Sequence, residues 1–129
     1  MNKSFDVNKI IQNSLKVKSP KKRVTGPHKV LIVSPKEYWV IVALGYDNSP
    51  CFGLRWFNTK RGYPNSFGYK TWIILPQNIS LSIIQTFPFN GNEKLKLKQY
   101  LAEEIAGADL SDITTLVIDE VKKISFDWD

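Results

Sequence analysis

The stretch of sequence that decides the fold is residues 28–57, which read HKVLIVSPKEYWVIVALGYDNSPCFGLRWF. It contains three apolar runs, and the turn-forming segments 34–37 and 45–50 separate them. In the second run, residues 38–44, the side chains alternate between two faces, as they do along a β-strand. Short apolar runs joined by tight turns predict three neighbouring antiparallel strands.

The sequence that follows extends this sheet and adds helices. Residues 71–75 predict a fourth strand that Pro76 ends, and residues 80–87 have apolar positions at helical spacing. A second helix is predicted from an N-cap at Asn92 to Ala106. Its apolar stripe consists of Leu97, Leu101 and Ile105. Together these elements predict an α+β fold: a twisted antiparallel four-stranded sheet followed by C-terminal helices, with a basic N-terminal arm.

Residue usage divides the chain of 129 residues into three parts. Residues 1–27 predict a basic flexible arm with a short amphipathic helix, and residues 28–107 predict the sheet-and-helix domain. Residues 108–129 predict an acidic C-terminal segment. Within it, residues 109–123 fit either a helix or a strand, and the alternating residues 124–129 fit an edge strand or an acidic-aromatic peptide.

Charge is distributed unevenly along the chain. The whole chain has 18 Lys and Arg against 12 Asp and Glu, which gives a net charge of +6. Residues 1–102 carry 16 of those cations and four acids, whereas residues 103–129 carry eight acids and two lysines. A basic body with an acidic tail indicates a polyanion-binding protein, and a solvated lysine-rich surface is the alternative.

The residue types that support catalysis are scarce. With one cysteine, Cys51, and one histidine, His28, the chain has neither a disulfide framework nor a Cys- or His-rich metal centre. The acids show no metal-ligand spacing, and no glycine-rich phosphate loop is present. We therefore expect no catalytic residues, no metal, no cofactor and no enzymatic activity. Without a long apolar run or a hydrophobic leader, we expect no membrane segment and a cytoplasmic location, or a nucleoplasmic one in a eukaryotic or viral host.

Aromatic and basic residues are interleaved between residues 52 and 72, a stretch without an acid. Cations that follow phosphates, together with rings that stack on unpaired bases, are typical of single-stranded nucleic-acid binding. The alternative is that strand rings such as Phe52, Trp56 and Trp72 belong to the core. We expect Arg55 to face solvent and the loop 58–70 to be functional. The predicted nucleic-acid contacts are Arg55, Trp56, Phe57, Lys60, Arg61, Tyr63, Phe67, Tyr69 and Lys70, with Lys21, Lys22 and Arg23 from the arm.

Several short motifs in residues 29–87 resemble one known family. They are Tyr38-Trp39-Val40 in a hairpin, Leu54-Arg55-Trp56-Phe57 in a strand, Gly62-Tyr63-Pro64 with Gly68 in a turn, and Trp72-Ile73-Ile74-Leu75-Pro76 before a helix. In these motifs the stretch is similar to the positive-cofactor-type, Whirly-like family of single-stranded-DNA-binding coactivators. The resemblance implies a curved antiparallel sheet and a dimer formed through helices. It also implies nucleic-acid contacts by Arg55, Trp56, Lys60, Arg61 and Lys70.

The sequence thus predicts a non-enzymatic protein that binds single-stranded DNA or RNA by stacking and phosphate contacts. Transcription regulation and DNA replication are both compatible with such binding. We expect a homodimer that uses the apolar stripe at 97–105, and an acidic C-terminal segment that recruits a protein partner or regulates binding. The alternative is a small viral or plasmid interaction protein whose exposed rings bind a host protein machine.

Overall fold

The computed structural model describes residues 6–118 as an α+β fold in which a five-stranded sheet lies between helices. The strands are β1 (Val24–Ser34), β2 (Trp39–Tyr46), β3 (Ser49–Trp56), β4 (Asn65–Ser66), β5 (Tyr69–Lys70), β6 (Ile73–Leu75) and β7 (Leu116–Val117). The helices are α1 (Val7–Leu15), α2 (Gln77–Thr86), α3 (Gly91–Leu101) and a 3-10 helix at Gly107–Leu110. The α+β class is confirmed, and the four predicted strands correspond to β1, β2, β3 and β6. No helix in the described range has both the length and the apolar character needed to cross a bilayer.

The sheet is mixed rather than purely antiparallel. Its strand order is β6-β3-β2-β1-β7, and all neighbours are antiparallel except β7, which runs parallel to β1. The amide of Ile118 donates to the Val33 carbonyl at 2.8 Å. The hydroxyl of Thr115 donates to the Val30 carbonyl at 2.7 Å. The predicted four-stranded antiparallel sheet is not confirmed, because a fifth strand from beyond α3 pairs with the outer side of β1.

Both faces of the sheet are covered. On one face, Ile84 of α2 and Leu97 of α3 join Phe52 of β3 in one cluster, and all three side chains are fully buried. On the other face, Ile10 of α1 joins a second cluster with Val40 of β2. Because apolar side chains are needed on both faces, the strands read as nearly continuous apolar runs.

The basic N-terminal arm is not confirmed as a flexible segment. Ile10, Ser14 and Val17 are buried, so the chain from α1 onwards packs on the sheet. The indole N–H of Trp72 donates to the Val17 carbonyl at 2.8 Å and ties the segment after α1 to the chain just before β6. The apolar stripe of α1 covers a sheet face that would otherwise be open to water, and burial of that surface holds the segment in place.

The predicted start of α3 is two residues too late. The Asn90 side chain accepts from the Glu93 amide at 2.8 Å, and the Glu93 side chain accepts from the Asn90 amide at 3.0 Å. This reciprocal capping box places the N-cap at Asn90, so the prediction of Asn92 is wrong. The helix also ends at Leu101, before the predicted end at Ala106.

The apolar stripe of α3 belongs to the core of its own chain. Leu97 is fully buried and Leu101 is 4% exposed. Both side chains pack in the cluster under the sheet together with Phe52. The stripe is therefore not available as the dimer interface predicted from the sequence, and a homodimer stays a prediction without an assigned surface.

The first part of the predicted acidic C-terminal segment is built into the domain. Leu110 and Ile113 are buried in the core, and β7 joins the sheet. Of the two alternatives for residues 109–123, the structure has a 3-10 turn at the start and a short strand at 116–117. The alternatives for residues 124–129 lie outside the described residues.

The hydrogen bond from Trp72 to Val17 can be tested by substitution. Trp72→Phe keeps most of the ring packing but leaves a buried carbonyl without its donor, so the free energy of unfolding should fall by about 1–3 kcal/mol. Urea unfolding followed by circular dichroism measures the change. Trp39→Phe is the matched control, because its indole N–H bonds to the exposed Glu37 carboxylate at 3.4 Å and its loss should cost less. Equal losses in the two variants would contradict the role of the Trp72 hydrogen bond.

Candidate nucleic-acid interface

The loop between β3 and β6, residues 57–72, has backbone structure of its own. Trp56 and Tyr63 exchange two backbone hydrogen bonds, at 2.7 and 2.9 Å, where the loop begins. Further along, β4 and β5 form a small antiparallel hairpin with the two-residue turn Phe67-Gly68. These backbone pairs give the loop a defined shape, which a list of its residue types does not show.

Arg55 fastens this loop to the sheet. Its guanidinium donates to the carbonyls of Pro64 and Thr71 through Nη1, at 3.2 and 2.5 Å. Through Nη2 it donates to the Arg61 carbonyl at 2.7 Å, and it lies 5.8 Å from the centre of the Trp72 ring. Arg55 is 3% exposed, so the expectation that it faces solvent is wrong. The loop folds back over this side of β3, and its carbonyls need donors there.

The charge of Arg55 is buried without a carboxylate beside it. The ion pairs among residues 6–118 are Arg23–Asp47 and Lys96–Asp112, and neither includes Arg55. Burial lowers the pKa of the Arg55 guanidinium, but an arginine side chain stays protonated throughout the physiological pH range. The result is a fixed positive potential beneath the loop, and this potential favours an anion above it.

A groove, which we call the basic groove, lies between this loop and residues 10–21. It consists of three adjoining cavities of about 160, 380 and 460 Å³. The buried Arg55 lines the first of these cavities. The exposed cations that line the groove are Lys16, Lys18, Lys21, Lys60, Arg61 and Lys70, and the rings are Phe57, Phe67 and Tyr69. No Asp or Glu of the described chain lines any of the three cavities, so the groove is positive along its length.

The six exposed cations of the basic groove come from two parts of the chain that are distant in sequence. Those at 16–21 follow α1, and those at 60–70 belong to the loop. All of them are exposed, and none forms an ion pair within the described part of the chain. Lys16 and Lys18 were not among the predicted contacts. The apolar stripe of α1 is the sequence feature from which they could be predicted, because it packs the helix on the sheet and so places the following lysines beside the loop.

The exposed rings of the loop lie in two places. Phe67 is 98% exposed and Tyr69 is 67% exposed, and both line the basic groove. Tyr63 is 60% exposed but lies against Trp56, with 6.3 Å between the ring centres, outside the groove. The loop therefore offers two rings next to its cations and a third ring on a separate surface.

The remaining predicted contacts lie outside the basic groove. Trp56 is half-buried and pairs across the sheet with Trp39. Arg23 forms an exposed ion pair with Asp47 of the β2–β3 turn at 3.3 Å. Lys22 is exposed but lines none of the three cavities. Of the predicted basic run at 21–23, only Lys21 lines the groove.

The single histidine of the chain is half-buried, and its single cysteine is buried. His28 lies against the Tyr100 ring, with 5.9 Å between the ring centres, and burial lowers its pKa. Burial raises the pKa of the Cys51 thiol to about 11, so this side chain is protonated at neutral pH and is a poor nucleophile. Residues 6–118 contain no group of three or more His, Cys, Asp and Glu placed to hold a metal ion.

Comparison with known proteins gives no match to a family model, to a curated protein or to a solved structure. The resemblance to the positive-cofactor-type, Whirly-like coactivators therefore stays a prediction. The function has to be inferred from the geometry and charge of the basic groove itself.

Because Arg55 fastens the loop to the sheet, substituting it should loosen the loop more than the rest of the fold. Arg55→Met removes three hydrogen bonds to loop carbonyls, so the free energy of unfolding should fall by about 2–4 kcal/mol. Amide hydrogen exchange should accelerate most in residues 57–72, because those carbonyls hold the loop in place. Arg61→Met is the control, since its exposed side chain should change stability by about 0.5 kcal/mol at most. Exchange that accelerates evenly over the whole sheet would contradict this role.

Proposed function

We propose that this protein binds single-stranded DNA or RNA in the basic groove and does so without catalysing a reaction. The observation that carries the proposal is one open groove that, among residues 6–118, combines six exposed cations outside any ion pair, no carboxylate and the exposed rings of Phe67 and Tyr69. Cations that neutralise phosphates release bound counterions, and exposed rings stack on bases. The buried charge of Arg55 adds to the same positive potential.

The position of the rings favours an unpaired strand over a duplex. Phe67 and Tyr69 can stack only on a base whose face is free, and in a duplex the neighbouring base pairs cover those faces. Each stacked base contributes about 1–3 kcal/mol to the free energy of binding. This gain compensates for the exposure of the two rings to water in the unbound protein. A duplex would meet the same cations but would gain nothing from the rings.

A protein partner is the second candidate, and the Phe67 side chain supports it as well. An exposed ring at the tip of a hairpin also fits a protein-binding hot spot, in which aromatic residues are enriched. That function gives no role to the row of cations from Lys16 to Lys70. Nucleic acid uses both the rings and the cations, and for this reason we favour it.

The salt dependence of binding tests the proposed function. For a labelled oligothymidylate, the logarithm of the affinity should fall by about 0.7 per contacted phosphate for each unit of log salt. Changing Lys60, Arg61 and Lys70 together to Gln should reduce that slope by about 2, because three phosphate contacts are lost. Fluorescence anisotropy titrations over a salt series measure both slopes.

A matched triple variant controls for the loss of net charge. Lys36, Lys94 and Lys98 lie outside the basic groove, and changing all three to Gln removes the same charge. This variant should keep the wild-type slope. A wild-type slope near zero, or no binding at all, would contradict the proposal and favour a protein partner.

The acidic C-terminal segment is proposed to compete with nucleic acid for the basic groove. Two of its acids have structural partners: Asp109 accepts from the Ala106 amide at 2.9 Å, and Asp112 pairs with Lys96 at 2.7 Å. The acids that follow Ile118 are Asp119, Glu120, Asp127 and Asp129. Their charge is opposite to that of the groove, and Phe126 and Trp128 have the ring chemistry of a base.

Neutralising those four acids in the full chain tests this competition. With Asp changed to Asn and Glu120 changed to Gln, binding of an oligothymidylate should tighten several-fold at low salt and be nearly unchanged at high salt, since salt screens the competing charges. The control is Glu103→Gln with Glu104→Gln, two exposed acids outside the groove, whose loss removes half as much negative charge and should leave the affinity nearly unchanged. An affinity that is unchanged at low salt would contradict the competition and leave recruitment of a protein partner as the role of the segment.

A further inference from the structure

Phe67 has a positive φ, a backbone conformation that residues with a bulky side chain rarely adopt. It is the first residue of the two-residue turn between β4 and β5, with a φ of 50°, and Gly68 follows with a φ of 84°. Positive φ at both positions is typical of a type I′ turn, in which asparagine, aspartate or glycine is preferred. A phenylalanine there is strained, and its ring is 98% exposed. Since neither the backbone nor the core benefits from this ring, a ligand is the natural explanation for it.

The largest and most apolar cavity of the basic groove lies beside this turn. It has a volume of about 460 Å³ and opens between the β4–β5 hairpin and the chain at 19–21. Its main walls are Pro20, Lys21, Ser66, Phe67, Tyr69 and Thr71. The two aromatic rings and the pyrrolidine ring offer flat apolar faces. The hydroxyl groups and the lysine ammonium offer hydrogen-bonding groups around them.

We propose that this cavity is a nucleobase subsite, which takes one unpaired base turned out of the strand in the basic groove. The inference rests on the proposed function and adds a specific place for one base. A base has apolar faces and polar edges, and the rings and hydroxyl groups of the cavity match both. The volume of about 460 Å³ falls within the range of small-molecule sites, about 300–1,000 Å³.

The adjoining cavity supplies the phosphate contacts that such a base needs. Tyr69 lines both cavities, and the adjoining one, of about 380 Å³, also carries Lys16, Lys18 and Lys70. A base in the subsite therefore has its own phosphates next to these lysines. Beyond them, the cavity with Lys60 continues the path of the backbone away from the subsite. The groove thus has one place built for a base and a longer path built for phosphates.

An abasic scan of the bound strand tests the subsite. The full-length protein is titrated with oligothymidylates of the shortest length that binds, each lacking one base, so that the strand cannot slide to avoid the gap. Loss of the base at one position should weaken binding by about tenfold, and loss at the other positions should have smaller effects. A flat profile with salt-dependent binding retained would overturn the subsite and leave the proposed function standing. No binding by any oligonucleotide, intact ones included, would overturn both.

Phe67→Asn separates the subsite from the folding of the hairpin. Asparagine tolerates positive φ, so this variant should melt about 2–5 °C higher than the wild type. It should bind the intact oligothymidylate about tenfold more weakly and lose the dependence on abasic position. Leu95→Ala is the control, because it removes an apolar side chain that is 56% exposed on α3, and it should keep that dependence. A Phe67→Asn protein that keeps the wild-type position dependence would overturn the proposal.

Discussion

The hydrogen bonds that Arg55 donates to three loop carbonyls are the interaction on which the basic groove depends. Most side chains of the loop are exposed, so apolar burial contributes little to its shape. A planar guanidinium with several donors satisfies the carbonyls of three different loop residues at once, which a lysine ammonium does less well. Because the charge that orders the loop stays beneath it, the same side chain sets both the shape of the site and its potential.

The opposite wall of the groove is held by apolar burial, and Trp72 connects the two walls. Ile10 and Val17 pack in the cluster that also contains the Trp72 ring. The indole N–H of Trp72 donates a hydrogen bond to the Val17 carbonyl and so connects this residue to the N-terminal segment. The Arg55 guanidinium lies over the ring itself, 5.8 Å from its centre. The lysines after α1 and the cations of the loop are therefore positioned through one shared aromatic side chain.

The sequence predicts those features that depend on local patterns. Strands β1, β2, β3 and β6 follow from apolar runs between turns, and the exposure of Phe67 follows from the glycine and proline residues around it. Strand alternation also places Arg55 on the correct side of β3. The pattern does not show that the loop returns over that side, so a buried anchor was mistaken for a surface contact. For residues 109–123 the sequence leaves a helix and a strand open, because a strand of two residues such as β7 carries no periodicity and its partner strand is far away in sequence.

Both outer strands of the sheet are very short, three residues in β6 and two in β7. A long bare outer strand invites another chain to add its own backbone and begin aggregation. Within residues 6–118, each of these two outer strands therefore offers a second chain a template of no more than three residues, which disfavours addition of another molecule through β6 or β7.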